Sequence, residues 1–171
     1  MLTLTRPALA APILAGLLGA SVLGTVAARA QAPEVRADNA WARATPASAK
    51  VGAVYVTLTS PAGDTLLGAS SPASRVAEVH EMTMDGAVMR MRELAGGLPL
   101  PPGQPVTLQP SGLHIMLVDL KAPLRQGGTV QVRLNFARSA PVDITARVAA
   151  IGAAGPPGAA APPAMPGMKM P

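Results

Sequence analysis

Between Val35 and Ala150 the chain is interrupted by turn signals at intervals of roughly 8–12 residues, and each interval is a short run of β-favouring side chains. Almost no helical periodicity competes with that spacing. The clearest run is Val51–Thr59, in which Val54, Val56 and Leu58 alternate with Tyr55, Thr57 and Thr59, the two-residue period of a half-buried strand. Similar runs lie at Val35–Trp41, Thr65–Ser70, Val76–Met82, Val106–Gln109, Leu113–Leu120, Thr129–Phe136 and Val142–Ala150. Asp85-Gly86 is a hairpin signal between Val79–Met84 and Val88–Leu94. The Pro/Gly-rich stretch from Gly96 to Gly103 reads as a loop. About nine short strands in a 171-residue chain predict one antiparallel sandwich or barrel domain.

The two ends do not belong to that domain. Arg6 precedes an uncharged stretch from Pro7 to Ala28, and Ala28-Arg29-Ala30 is a small-x-small cleavage site. Residues 1–30 are therefore expected to be a signal peptide, with Gln31 the first mature residue. No other stretch is long and apolar enough to span a bilayer. Residues 31–150 form the expected domain. Residues 151–171 are rich in Ala, Pro and Gly, bury too little apolar surface to offset their ordering entropy, and are expected to be a disordered tail.

Composition removes several functions. Without residues 1–30 the chain keeps 12 basic and nine acidic residues, net +3, scattered along its length. Its aromatics are Trp41, Tyr55 and Phe136. There is neither a basic patch nor a stacking platform for nucleic acid. No carboxylate pair, Ser/His/Asp set or nucleophile elbow marks an enzyme. With no cysteine, thiolate zinc sites, thiol redox chemistry and the cysteine-ligated blue-copper centre are excluded.

The remaining signal is the placement of histidine and methionine. The two histidines are His80 and His114. Met82, Met84, Met89, Met91 and Met116 lie near them in sequence, Met165, Met168 and Met170 lie in the tail, and apart from Met1 there are no others. Methionine that merely fills a core would be spread over the strands. On a strand, His80, Met82 and Met84 share one face, as do Met89 with Met91 and His114 with Met116. The Asp85-Gly86 turn brings the first two sets together, and His80, Met91, His114 and Met116 converge if the Leu113–Leu120 strand lies beside them. Imidazole and thioether are neutral ligands, and thioether selects Cu(I), with Cu(II) held more weakly. The tail methionines are a candidate second Cu(I) group.

His80-Glu81-Met82, Val88-Met89-Arg90-Met91-Arg92 and His114-Ile115-Met116-Leu117 resemble the PCu(A)C family of periplasmic copper chaperones. So do Ala40-Trp41-Ala42-Arg43-Ala44, Tyr55, Leu120-Lys121-Ala122-Pro123-Leu124 and Leu134-Asn135-Phe136, so the resemblance spans roughly Val35 to Val148. Ten residues separate His80 from Met91, as in the family; twenty-two separate Met91 from His114, one more than the family spacing, which keeps Met89 as the alternative to Met91. The resemblance implies an all-β, cupredoxin-like Greek-key fold and a monomeric periplasmic carrier that is not an enzyme. It implies His80, Met91, His114 and Met116 as Cu(I) ligands. It also implies delivery to the copper-centre subunit of cytochrome c oxidase, alongside a Sco-type protein. Periplasmic copper tolerance or storage, and a metal-free interaction sandwich, are the alternative roles.

Overall fold

The computed structural model describes residues 34–158. The expected signal peptide and the tail methionines Met165, Met168 and Met170 lie outside the described residues. Ten strands follow one another: β1 (Arg36–Arg43), β2 (Val51–Thr59), β3 (Asp64–Ser70), β4 (Ser74–Asp85), β5 (Val88–Glu93), β6 (Leu98–Leu100), β7 (Pro105–Thr107), β8 (His114–Leu120), β9 (Thr129–Phe136) and β10 (Val142–Ala149). The described residues contain no helix. They pair in the order β5-β4-β8-β2-β1-β10-β9-β3-β6, with β7 on β2. A further contact between β3 and β4, at Ala69 opposite Ala77, closes seven of them into a barrel. The expected all-β, cupredoxin-like architecture is thus present as a closed barrel with β5, β6 and β7 added to it.

The alternation seen in the sequence decides which side of each strand faces inward. Val54, Val56 and Leu58 of β2 are fully buried, as are Ile115 and Leu117 of β8. Ala77 and Val79 of β4 join them in a core that is almost wholly aliphatic. Each Val, Leu or Ile among them contributes about 1.5–3 kcal/mol when fully buried, and with no disulfide this packing is what holds the domain together.

Two features depart from the sequence reading. The stretch Leu98–Leu100, read as loop, is an edge strand on β3. Leu98 and Leu100 are buried while Pro99 faces out, and an edge strand tolerates a residue without an N–H. In β1, pairing to β2 shifts between Asp38 and Trp41, around Asn39 at φ 55°. The extra residue reverses the facing of the strand. Ala37 and Ala42 therefore both turn to the core, and Trp41 turns to the opposite side of the sheet, where it is buried against Tyr55 and Ala149.

Asp64, at the start of β3, is a buried carboxylate that ties two loops. Its Oδ1 accepts the N–H of Thr65 at 2.7 Å and of Arg138 at 3.1 Å, and its Oδ2 accepts the N–H of Ser139 at 2.9 Å. Burial alone would raise its pKa, but the Ser139 side chain and these N–H groups outweigh it and hold the pKa at about 2. Asp64→Ala strands these three N–H groups and the Ser139 hydroxyl and is expected to lower stability by about 2–4 kcal/mol, read as a lower urea midpoint with an unchanged slope. Because the folded pKa lies below the unfolded value of about 3.9, the wild-type advantage is complete above about pH 4 and fades as the pH falls towards 2. Equal midpoints at pH 7 would contradict this account of Asp64.

Candidate metal centre

Three adjacent strands, β5, β4 and β8, present the site on the outer face of the barrel. The β4–β8 register sets His80 directly opposite His114 and Glu78 opposite Met116. The β4–β5 register sets His80 opposite Glu93, Met82 opposite Met91 and Met84 opposite Met89. Opposed residues project to the same side of a sheet, so all of these side chains share one face. Core-facing Val79 and Ile115 lie between them on the other face.

The histidine rings stand 5.9 Å apart between centroids, inclined at 43°. Each has one nitrogen fixed by a neighbour. His80 Nε2 is 2.9 Å from Glu78 Oε2, and His114 Nδ1 is 3.1 Å from the carbonyl of Gly112. A carboxylate and a carbonyl only accept, so these ring nitrogens donate. The lone pairs then lie on His80 Nδ1 and His114 Nε2. His80 Nδ1 is buried and has no hydrogen-bond partner. His114 is almost completely buried, at 5% exposure. Burial pushes its pKa below the ordinary histidine value; the Gly112 carbonyl opposes that shift and the neighbouring His80 adds to it. His114 is therefore a neutral imidazole at neutral pH, the form that ligates metals.

The thioethers flank this pair on two diagonals. Met91 lies two residues along β5 from Glu93, the residue opposite His80, and Met116 lies two residues along β8 from His114. Such diagonal positions lie about 7–8 Å apart, within reach of a long flexible side chain. Met91 is 46% exposed and Met116 is half-buried. Met89, the alternative to Met91, pairs with Met84 two residues further out. The four sequence-derived candidates thus gather around the histidine pair, and Met89 stands further off.

Glu78 was not legible as part of the site. It is one of several scattered carboxylates in the sequence, yet its spacing of two from His80 places it on the same face. Trp41 also borders the site. It stacks on Tyr55 with ring centroids 4.5 Å apart, and Ala53, packed against this pair, lies opposite Met116. Arg43 covers the Tyr55 ring at 5.9 Å and donates from Nε to the Ala153 carbonyl at 2.7 Å. Burial raises the Tyr55 pKa, partly offset by Arg43. The first residues of the C-terminal segment are thereby tied down beside the site.

The family model described as "Putative lipoprotein LpqE-like" matches residues 35–148. "Putative lipoprotein Lxx21020" of Leifsonia xyli subsp. xyli (strain CTCB07) is 34% identical over 138 residues, 78% of this chain and 82% of that protein. Among solved structures, CuI-DR1885 from Deinococcus radiodurans is 32% identical with a TM-score of 0.54, covering 71% of this chain and 83% of its own. The copper-bound PCuAC domain from PmoF2 is 25% identical with a TM-score of 0.57, covering 70% of this chain and 95% of its own.

The hydrogen bonds dictate the tautomers. Nitrogen-15 correlation spectra of the metal-free protein at neutral pH are expected to show the Nε2–H form at His80 and the Nδ1–H form at His114. The reverse assignment at either ring would contradict the geometry.

Proposed function

The chain belongs to the PCuAC family, which the LpqE-like model describes, and from that premise we propose that it is an exported copper carrier that holds Cu(I) on His80, His114, Met91 and Met116 and releases it to a partner without catalysing a reaction. The observation that carries the reading is the histidine pair. Two imidazoles face each other, each with an acceptor on one nitrogen and a lone pair on the other, and the His80 lone pair is buried without a partner. Metal-ligating histidines are held in this way, their second nitrogen donating to a carboxylate or a backbone carbonyl. A buried ring nitrogen with no hydrogen-bond partner keeps its lone pair available to a cation.

The donor set then selects the ion. Among the described residues no three His, Asp or Glu side chains gather closely enough to hold a metal, so the neighbouring thioethers complete the shell. Two imidazoles and two thioethers suit Cu(I) and disfavour zinc and hard cations. The Cu(I) named for DR1885 and the copper named for the PmoF2 domain support the same ion. Neutral donors on an outer face also suit release, because no thiolate anchors the cation.

Residues 1–30 direct export and are removed, and the carrier works as a monomer in the periplasm. Met165, Met168 and Met170 serve as an auxiliary Cu(I) group. The destination is the copper-centre subunit of cytochrome c oxidase, directly or through a Sco-type protein, as the family resemblance implies.

A Cu(I) competition titration against a chromogenic chelator tests the site. One tight equivalent is expected for the wild type and none for His114→Ala, whose far-UV circular dichroism stays unchanged. Glu78→Ala, which removes the support of His80, is expected to weaken binding about 10–100-fold. Wild-type affinity in His114→Ala would overturn the proposal.

A further inference from the structure

The β4–β5 hairpin extends past the barrel. The last bond from β4 towards β8 runs from the N–H of Met82 to the Gly112 carbonyl at 3.2 Å, and from Thr83 to Asp85 β4 pairs with β5 alone. The two faces of this projection are built differently. One carries Glu81, Thr83, Asp85, Arg90 and Arg92, with Val88 opposite Asp85 at the turn, and holds the ion pairs Arg92–Glu81 at 2.7 Å and Arg90–Asp85 at 2.8 Å. On the other, every residue from Met82 round to Met91 is a methionine, in the opposed pairs Met82–Met91 and Met84–Met89.

Ordinary packing does not account for that face. Met84 is 64% exposed and Met89 52%, so neither fills a core. An edge hairpin gains solubility from polar side chains and strand propensity from β-branched ones, and methionine supplies neither. Its distinguishing property is a soft sulfur. Opposed side chains stand about 4.5–5.5 Å apart at Cβ, close enough for two thioethers to share one soft cation. The stripe also has a direction: it begins at the exposed tip and ends at Met82, the next residue on the His80 face of β4, and Met91, diagonal to His80.

We propose that Met84 and Met89, with Met82 behind them, form a second, weaker, thioether-only Cu(I) site at the hairpin tip, from which the ion passes along Met82 and Met91 to the His80–His114 pair. The transfer exchanges one neutral ligand for another, and the ion keeps its single positive charge throughout. This rests on the Cu(I) reading above.

The test is an anaerobic Cu(I) titration of the intact protein carrying 13C-methyl methionine, with resonances assigned by Met→Leu variants. The methyls of Met91 and Met116 are expected to move with the first equivalent and those of Met84 and Met89 only with the second. Met84→Leu/Met89→Leu, two exposed and conservative changes, is expected to lose the second set of shifts, keep the first, and load the histidine pair more slowly after rapid mixing. The tip site is overturned if Met84 and Met89 stay still in excess Cu(I), if the later shifts fall only on Met165, Met168 and Met170, or if both move in step with the first equivalent. An unchanged loading rate overturns the relay. If no methyl moves at all, the copper carrier itself falls, and the tip site with it.

Discussion

The direct opposition of His80 and His114 across β4 and β8 is the constraint on which the site depends. It is fixed by the core beneath it. Ala77 and Val79 face inward from β4, Ile115 and Leu117 from β8, and a slip of one residue would turn the aliphatic side chains outward and the imidazoles into the core. The packing that stabilises the domain therefore also sets the register of the face that carries the histidines and methionines. The site needs no loop to close over it, because three neighbouring strands deliver its side chains.

Placing the site on the outer face explains how two nearly buried imidazoles are tolerated. A buried charge would be costly, whereas a neutral ring needs only a partner for its N–H. Glu78 and the Gly112 carbonyl provide those partners. Desolvation and the proximity of the second ring disfavour protonation of His114. The pair is thus poised to donate to a cation, and the Trp41–Tyr55 cluster with its Arg43–Ala153 tie walls one side of it. The projecting methionine face lies on the other side.

Much of this was readable from residue order. The Asp85-Gly86 signal gives the observed hairpin, with Gly86 at φ 62°, and a period of two puts the histidines and methionines on common faces. What residue order does not carry is pairing between distant strands. That β8 lies beside β4 follows from the barrel, which closes where β3 meets β4 at Ala69 and Ala77. The bulge near Asn39 that turns Trp41 outward has no hydrophobic pattern to announce it. The strand at Leu98–Leu100 was hidden by the proline and glycines around it. Glu78 was overlooked because its role depends on a hydrogen bond and not on a motif.

The central claim is that the histidine pair and flanking thioethers share one Cu(I) ion. X-ray absorption of the protein loaded with a single equivalent of Cu(I) tests it most directly. The account predicts both nitrogen and sulfur in the first shell of copper, with the sulfur contribution reduced in Met116→Leu and the nitrogen contribution reduced in His80→Ala. A shell of sulfur alone, or of nitrogen and oxygen alone, would contradict it.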